Sequence, residues 1–381
     1  MIIILGGGLS GSLLAYRLSK LVPQLDFLLI EEQSQLGGEH TWSFHESDLS
    51  SKAMSWVQPL VTSSWDQQEV RFQGFNRVLS QRYHSVTSNR LRQVIQPQIQ
   101  HRLLLNESVQ KIDAQSVYVK GNRIEAQVIF DARGLEPHAL NDCGFQKFVG
   151  MDLELNEPHE LKYPIIMDAN CRQEEGYRFF YLLPWSSHSV LVEDTRYSLN
   201  SHINEEELKR EIRDYCKRSG WTIRKEIRSE FGVLPIPLSP FKVKSESMES
   251  VRVGMRGCYF HWTTGYSFPY AVRIAEIISQ EIELNSKAKE SDFIRVLKPI
   301  QTELKKQSRY LSLLNRMLFL AAEPAERWKI FHRFYQLNES LIFRFYQGNL
   351  KFRDQAKILV GKPPVPIYSA FKSIFYQGQT D

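Results

Sequence analysis

Two adjacent carboxylates, Glu193 and Asp194, follow the apolar run 190–192. Burial of a carboxylate disfavours its charged form, so its pKa rises and it stays protonated nearer to neutral pH. Successive residues of a strand point to opposite faces, so only one of the two side chains can face a cavity. The pattern therefore makes one of them a candidate proton donor. In the alternative interpretation both residues end the strand, and Asp194 pairs locally with Arg196.

A third acid, Glu230, lies beside the apolar sequence that runs to Pro237. Its position suits a buried carboxylate that acts together with the first pair. A charge at the edge of a strand is an equally simple explanation. The sequence leaves this choice open.

A glycine-rich turn follows the apolar run 2–5, which is typical of a strand buried on both faces of a parallel sheet. In this turn Gly6 allows the tight bend, Gly8 lets the backbone approach a pyrophosphate, and Gly11 lets the next helix pack closely on the strand. The pattern predicts a dinucleotide site. The contacts expected from this turn are Gly6, Gly8, Leu9, Ser10 and Gly11.

An acid follows the second predicted strand, 27–30, at the spacing that a dinucleotide site requires. Glu31 comes 20 residues after Gly11 and can accept hydrogen bonds from a ribose, and Glu32 is the alternative. A carboxylate at this position disfavours a 2′-phosphate. We therefore expect an adenosine without that phosphate.

Two later segments favour FAD over NAD as the dinucleotide. The apolar run 128–130 ends in a turn of small residues at 132–134, which would return the chain to the cofactor. A strand and glycine turn at 251–257 precede Thr263-Thr264-Gly265 and a predicted helix over 268–284, whose N-terminus suits a phosphate or the flavin. An ordinary helix N-cap is the alternative for the Thr-Thr-Gly turn. Further cofactor contacts are assigned to Val109, Gly254, Met255, Thr264 and Gly265.

The order of predicted elements indicates an α/β protein with an α+β substrate lobe. It combines a Rossmann-like FAD-binding domain of the two-domain flavoprotein type, a β-sheet substrate domain and a C-terminal helical region. The expected FAD-binding segments are 1–34, 86–135 and 250–284. The expected substrate domain takes 35–85 and 136–249, and the helical region takes 285–381.

Two local predictions fall within the substrate domain. The segments 177–184 and 190–195 form a predicted hairpin. The segment 205–217 forms a predicted amphipathic helix, with Asn204 as its N-cap and Glu207 in the capping-box position.

Composition places the chain among globular proteins and separates off a basic tail. Residues 285–381 carry 17 Lys/Arg and eight Asp/Glu, whereas the first 284 residues are slightly acidic. The tail is also rich in aromatic and aliphatic residues, which favours a membrane surface as partner and disfavours nucleic acid. The alternative is a solvated helical lobe that packs on the substrate domain. We expect no membrane span and no secretory signal. The four separated cysteines favour a cytoplasmic chain without a metal site.

Several stretches, in order along the chain, resemble the bacterial lycopene β-cyclase family, which are flavoprotein carotenoid cyclases. The glycine turn is generic. The Glu-Asp-Thr-Arg-Tyr stretch at 193–197 and the Thr-Thr-Gly-Tyr-Ser stretch at 263–267 are not shared with flavoproteins at large. The similar stretches are 6–11, 37–45, 192–197, 260–267, 314–320 and 361–366.

The resemblance implies a cyclisation without net redox change. An acid protonates C2 of a ψ end group of lycopene, the C5=C6 double bond attacks the cation at C1, and loss of the C6 proton gives a β-ionone ring. γ-Carotene forms first and β-carotene second. The resemblance also implies FAD in its reduced form, with NADH or NADPH as reductant. An anionic reduced flavin would stabilise the developing carbocation in a dry site.

For this chemistry we expect Glu193 to be the general acid, with Asp194 as the second candidate. Glu230 would tune Glu193 or accept the C6 proton. Cation-π contacts are open to aromatic residues such as Tyr181, Trp262 and Phe268, for which core packing is the alternative. The implied partners are lycopene, the monocyclic carotene and a membrane surface, to which the cytoplasmic protein would bind peripherally.

Two other functions fit the same fold. A flavin monooxygenase or a prenyl or carotenoid reductase would carry out redox chemistry on its substrate. A flavin-binding adaptor at the membrane surface would use the helical tail for interactions. Analysis of the products separates the cyclase, the redox enzyme and the adaptor from one another.

Overall fold

A computed structural model describes residues 1–136, 142–173, 176–241 and 249–360, together with Ser373 and Tyr376. Its first sheet is parallel and has five strands, which bring together segments distant in the sequence. The strands are β1 (Ile2–Leu5), β2 (Phe27–Ile30), β8 (Leu103–Leu104), β12 (Val128–Asp131) and β18 (Val251–Arg252). Their order across the sheet is β18-β12-β1-β2-β8. The predicted strands at 2–5, 27–30 and 128–130 are thereby confirmed.

Both faces of this sheet are covered, because alternate residues of β1 belong to different apolar clusters. Ile2 and Ile4 pack with the helices on one face, and Ile3 and Leu5 pack with a small antiparallel sheet on the other. A strand buried on both faces needs apolar residues throughout. The helices are α1 (Leu9–Leu21), α3 (Ser88–Ile99) and α5 (Phe268–Leu284), and the small sheet comprises β9 (Val109–Asp113), β10 (Ser116–Val119) and β11 (Asn122–Glu125).

A second sheet of seven strands, with the order β17-β13-β16-β15-β14-β5-β6, forms the other lobe. Its neighbouring strands are antiparallel except for the parallel pair β14 and β5. The predicted hairpin is confirmed as β15 and β16, each longer than expected. The strands are β5 (Gln68–Phe72), β6 (Phe75–Leu79), β13 (Cys143–Leu155), β14 (Ile165–Asp168), β15 (Tyr177–Ser186), β16 (Ser189–Ser198) and β17 (Ile223–Pro237).

One face of the seven-stranded sheet is covered by α4 (Glu205–Arg218). The Asn204 side chain accepts a hydrogen bond from the backbone N–H of Glu207, which confirms the predicted N-cap. The Glu207 carboxylate accepts a hydrogen bond from Arg196 at 2.8 Å instead of returning to the cap. Tertiary contact thus replaces the second half of the predicted capping box.

A third sheet joins the two lobes. It consists of β3 (Thr41–His45), β7 (Tyr83–Thr87) and β4 (Ser63–Trp65), and α2 (Ser51–Val57) lies beside it. Trp42, Phe44 and Trp56 pack in the same apolar cluster as α1 and α5. Part of the segment 35–85, predicted to belong to the substrate domain, therefore packs on the first lobe.

The C-terminal region is helical through Leu359, and the parts of the predicted helical region at 361–372, 374–375 and 377–381 lie outside the described residues. Its first helix packs on α5, and the later helices cover the inner face of the seven-stranded sheet. Among the described residues, no helix is both long and apolar enough to span a membrane. The elements are α6 (Glu290–Arg316), a π-helical turn (Met317–Ala321), α7 (Trp328–Tyr335), α8 (Glu339–Tyr346) and α9 (Phe352–Leu359).

Candidate active site

A cavity of about 290 Å³ lies where the two lobes and the C-terminal helices meet. Its walls are mainly aromatic and aliphatic, a composition that suits an apolar small molecule. Tyr181 and Phe268, two of the aromatic residues considered for cation-π contact, line it. Trp262 does not, because it stacks on Phe260 and donates its indole N–H to the Ser239 carbonyl. For Trp262 the packing alternative is the one that the geometry favours.

Glu193 is the acid that lines this cavity. Glu193 is only 9% exposed, and one of its carboxyl oxygens accepts a hydrogen bond from the Thr195 hydroxyl at 2.5 Å. Burial raises the pKa of Glu193 to about 8, and the nearby charge of Glu230 adds to the shift. A carboxyl group with this pKa is mostly protonated at neutral pH and can donate a proton.

Glu230 lies on the same face of the sheet as Glu193, because Gly150 of β13 pairs with both residues in register. Two strand spacings separate their Cα atoms, a distance of roughly 10 Å. Gly150 leaves room between them, since a Cβ there would lie 3.1 Å from the Cγ of Glu230. The two carboxyl groups are thus close enough to influence each other electrostatically.

The environment of Glu230 differs from that of Glu193. Its Oε2 accepts hydrogen bonds from Arg228 at 2.7 Å and from the Thr41 hydroxyl at 3.0 Å. Burial raises the pKa of Glu230 to about 7, although Arg228 opposes the shift. Glu230 is not among the residues that line the cavity. It is therefore placed to act through Glu193 rather than on a ligand.

Asp194 points to the opposite face of the sheet, towards α4. It is fully buried, and both carboxylate oxygens accept hydrogen bonds from Arg178, at 2.9 and 2.8 Å. Arg196 donates a third, at 3.2 Å. Two guanidinium groups therefore hold the Asp194 carboxylate on the face of the sheet away from the cavity. Asp194 is therefore not placed to reach a ligand in the cavity, and its predicted pairing with Arg196 is confirmed. The other part of that alternative, in which both acids end the strand, is wrong, because β16 continues to Ser198.

The glycine turn has the shape that a pyrophosphate requires. Gly6 has a positive φ of 91°, and a Cβ on Gly11 would overlap the Gly6 carbonyl oxygen. A Cβ on Gly8 would instead meet no protein atom within 4 Å. Because Gly8 is also the N-cap of α1 and provides no side-chain cap, the first turn of the helix has backbone N–H groups available to an anion. These residues fit the pyrophosphate of FAD.

Glu31 lies beside this turn at the carboxyl end of β2. The residue is 8% exposed, and its carboxylate accepts hydrogen bonds from the backbone N–H groups of Gly7, at 2.5 Å, and Gln33, at 2.7 Å. Glu32, the alternative acid, is exposed to solvent. Val109 begins β9 and packs on an apolar cluster. That cluster contains Ile30, the last residue of β2, which directly precedes Glu31.

Four of the other predicted cofactor residues lie in the glycine turn or beside it. Leu9 is buried in the first-lobe core. A Cβ on Gly254, which has a positive φ of 59°, would overlap the Ser10 side chain. Met255 follows directly and is half-buried. The turn after β12 also reaches this place, since Ala132 lies against Gly6.

The Thr-Thr-Gly turn lies between the cofactor lobe and the cavity, which Thr263, Thr264 and Gly265 line. The Thr264 hydroxyl bonds to the ring of His261 at 3.1 Å, so it does not cap α5. The N-cap of α5 is Ser267, whose side chain makes no capping hydrogen bond. The N-cap alternative for this turn is therefore wrong, and the start of α5 borders the cavity without a side-chain cap.

Several polar residues at this site were not identified from the sequence. His45, Asp48 and Tyr266 form a buried group at one wall, and Arg228 holds Glu230. His45 and Tyr266 do fall in the family-like stretches 37–45 and 260–267, which was the available signal. Nothing in the sequence indicates that these two stretches meet in space.

Comparison with known proteins points to one family. A family model described as "Lycopene cyclase protein" matches residues 1–372. The lycopene beta-cyclase of Pantoea ananas is 39% identical over 375 residues, covering 98% of this chain and 97% of that protein. The enzyme of the same name from Pseudescherichia vulneris is 38% identical and covers 98% of this chain and 96% of its own.

Solved structures show the same fold at much lower identity. A geranylgeranyl bacteriochlorophyll reductase-like protein from Thermoplasma acidophilum aligns with a TM-score of 0.64 at 12% identity, covering 98% of each chain. The flavin-dependent brominase Bmp2 aligns with a TM-score of 0.63 at 12% identity, covering 94% of this chain and 96% of its own. The predicted fold, a Rossmann-like flavoprotein with two lobes and a helical C-terminal region, is confirmed. With a family match over almost its whole length and relatives at nearly 40% identity, the chain belongs to the lycopene cyclase family.

Proposed function

We propose that the protein is a lycopene β-cyclase that converts the ψ end groups of lycopene into β-ionone rings, giving γ-carotene and then β-carotene. The names of its relatives support the substrate. The observation that carries the proposal is a buried carboxyl group, Glu193, with a pKa of about 8 in an apolar cavity. Such a group can protonate an alkene that offers no polar handle.

Glu193 delivers its proton to C2 of the end group, and the cation forms at C1. The C5=C6 electron pair closes the ring onto C1, which moves the cation to C5, and loss of the C6 proton leaves the ring double bond. Tyr181 and Phe268 line the cavity, and their ring faces stabilise positive charge by ~2 kcal/mol or more when desolvated. The apolar walls also exclude water that would capture the cation.

The cofactor of this site is FAD. The residues around Gly8 and Glu31 would hold its pyrophosphate and ribose, and the start of α5 would face the flavin. When bound in its reduced form, FAD supplies negative charge close to the cation, and NADH or NADPH would be the reductant. The uncapped N-terminus of α5 favours an anionic group.

Glu230 is assigned the role of tuning Glu193. Its carboxylate has a fixed positive partner in Arg228, whereas Glu193 has only a hydroxyl. Two interacting acids in unlike environments titrate apart, so Glu230 ionises first and its charge keeps Glu193 protonated. This arrangement gives a proton donor at neutral pH.

The decisive experiment is an anaerobic conversion assay. Purified protein with FAD reduced by dithionite is incubated with lycopene in anionic liposomes, and the pigments are separated by chromatography. We expect γ- and β-carotene with reduced FAD and unchanged lycopene with oxidised FAD. Glu193→Gln should abolish conversion. Glu154→Gln, on the same sheet outside the cavity, is the matched control and should convert normally.

Two results would contradict the proposal. Unchanged lycopene with reduced FAD demonstrably bound would remove lycopene as substrate. Products that require oxygen, or stoichiometric consumption of NADH or NADPH, would favour the flavin monooxygenase or the prenyl or carotenoid reductase.

We also infer that the cavity opens at a membrane-binding rim. Ile358 and Leu359 of α9 line the cavity, while Phe352 and Val360 on the same segment are 83% and 71% exposed. Apolar side chains beside an opening allow a hydrocarbon to pass from the bilayer without crossing water. Basic residues close to these positions would add attraction to anionic lipid, at ~1 kcal/mol each. They are Lys351, Arg353 and Lys357.

Sedimentation with liposomes tests this rim. Phe352→Ser combined with Val360→Ser should weaken binding to anionic liposomes and lower conversion of liposomal lycopene. Leu284→Ser is the matched control, because Leu284 is 85% exposed but lies at the end of α5 and does not line the cavity. Equal liposome binding by the double variant and the control would refute the assignment.

A further inference from the structure

A buried histidine faces the same cavity as Glu193 from a different wall. His45, at the end of β3, is 2% exposed and lines the cavity. Among the described residues, its Nε2 has no hydrogen-bond partner although it is buried. Native proteins leave few buried polar groups without a partner, and one that lines a cavity calls for an explanation.

The other ring nitrogen, Nδ1, also makes no hydrogen bond among the described residues, but it lies near a carboxylate. Nδ1 lies 3.4 Å from Oδ2 of Asp48, whose side chain is only 1% exposed. The same oxygen accepts hydrogen bonds from the backbone N–H of His45 at 2.7 Å and from the Tyr266 hydroxyl at 2.5 Å. These two hydrogen bonds hold the oxygen beside Nδ1, so a proton on that nitrogen would meet a carboxylate, and Nε2 is the ring nitrogen without a neighbouring carboxylate in the part of the chain that the structure describes.

Two tyrosines lie between this histidine and the acid. The ring of Tyr83 is 5.1 Å from that of His45, and its hydroxyl is 3.1 Å from that of Tyr181, which pairs with Glu193 in register. Glu193 and His45 line the same cavity, so an end group in it can meet an acid on one sheet and a base on another. The proposed cyclisation requires both, because one proton enters at C2 and another leaves from C6.

A route for the departing proton lies behind Asp48. Its Oδ1 has no partner among the described residues, and Asp48 lines a second cavity of about 290 Å³. Arg273 also lines that cavity and has a side chain that is 47% exposed, so the cavity reaches the surface. Glu230, the other candidate acceptor, does not line the active-site cavity, and one of its oxygens is held by Arg228 and Thr41.

We propose that His45, oriented by Asp48 and Tyr266, is the base that removes the C6 proton in the final step. This inference rests on the proposed cyclase function. Nε2 takes the proton, the C6–H electron pair becomes the C5=C6 double bond, and the cation at C5 is neutralised. The imidazolium then releases its proton past Asp48 to solvent. Glu193 is reprotonated from solvent, so no net proton is consumed.

The position of the ring double bond tests the base independently of the acid. A cation at C5 that does not meet a base at C6 loses a proton from C4 or from the C5 methyl group instead, which gives a C4=C5 or an exocyclic double bond. His45→Gln should therefore convert lycopene at least tenfold more slowly, as expected on loss of a general base, and should give these isomeric rings. Asp48→Asn, which leaves His45 in place, should shift the products in the same direction and provides the test if His45→Gln does not fold.

Controls separate the possible failures. His84→Gln is the matched variant, because His84 is also 2% exposed, lies on the neighbouring strand and does not line the cavity. It should give β-ionone rings alone. In D₂O, deuterium at C2 reports the acid step and should persist in every product of His45→Gln. Wild-type protein that leaves lycopene unchanged would refute the proposed function itself.

Two outcomes overturn the assignment of His45 while leaving the cyclase function intact. One is that His45→Gln and Asp48→Asn give only β-ionone rings at the wild-type rate. The other is that Glu230→Gln shifts the double bond and His45→Gln does not. The second result would make Glu230 the base.

Discussion

The raised pKa of Glu193 makes a quantitative prediction about the pH dependence of cyclisation. The acid must be protonated to act, and its pKa is about 8. The protonated fraction is then about 90% at pH 7 and about 10% at pH 9, so the rate should fall about tenfold between these values. A glutamic acid at its ordinary pKa of 4.5 would be only about 0.3% protonated at pH 7.

The assay measures kcat/KM for lycopene in liposomes from pH 6 to 9.5, with the flavin fully reduced by dithionite at each pH. Tyr181 and Tyr197, which lie near Glu193, have pKa values raised far above this range by burial, so they stay neutral throughout. Glu230→Gln removes the charge that helps to raise the pKa of Glu193. The midpoint of the pH–rate profile of this variant should therefore lie at lower pH, so that its activity falls at a lower pH than that of the wild type.

A rate that does not change between pH 7 and 9 would refute the reasoning, as would a midpoint that moves to higher pH in Glu230→Gln. The control variant Glu154→Gln should keep the wild-type midpoint, because its side chain lies outside the cavity. Binding of FAD is measured at each pH, so that loss of cofactor is not mistaken for deprotonation.

Three further predictions concern stability and cofactor binding. Asp194→Asn removes the carboxylate that two buried guanidinium groups share, while Arg178 keeps Glu211 and Arg196 keeps Glu207, and it should lower the free energy of unfolding by about 1–3 kcal/mol in urea titrations; no measurable loss would contradict the structural role. Glu193→Gln should have the opposite effect at high pH. The pKa of Glu193 in the folded protein, about 8, exceeds the ordinary value of 4.5, so the wild-type protein loses stability as pH rises from 4.5 to 8. Above this range the variant should therefore have a higher melting temperature than the wild type on thermal denaturation. Gly8→Ala should keep the melting temperature of the apoprotein and weaken FAD binding in fluorescence titrations, whereas Gly11→Ala should lower both, because only its Cβ would overlap protein atoms; equal effects of the two substitutions would refute the assignment of the space beside Gly8 to the cofactor.

Local features of the fold could be predicted from the sequence because neighbours in the chain determine them. The buried strands of the first sheet follow from continuous apolar runs, and the hairpin of β15 and β16 follows from two apolar segments around a polar turn. The helix at 205–218 follows from its periodicity and its Asn204 cap. The glycine turn with its acid indicated a dinucleotide for the same reason, since that site is built within about 30 residues.

Long-range pairing decided what the sequence left open. The period of two along β16 says that Glu193 and Asp194 face opposite sides, but not which side holds the cavity. α4 packs on one face of the sheet, where the arginines donate hydrogen bonds to Asp194, and Glu193 points to the cavity on the opposite face. Glu207 does not complete the predicted capping box, because its carboxylate accepts a hydrogen bond from Arg196 where α4 meets the sheet.

The sequence by itself determined the cofactor unit, the family and the short list of acids, because each rests on residues close together in the chain or on stretches that resemble known ones. Only the tertiary structure decided which acid reaches the cavity. It also brought His45 to Tyr266, 221 positions later in the chain, through a hydrogen bond of 3.1 Å. The physical reason is that register and sheet packing determine the direction of a side chain, and both arise from burial of apolar surface between distant segments.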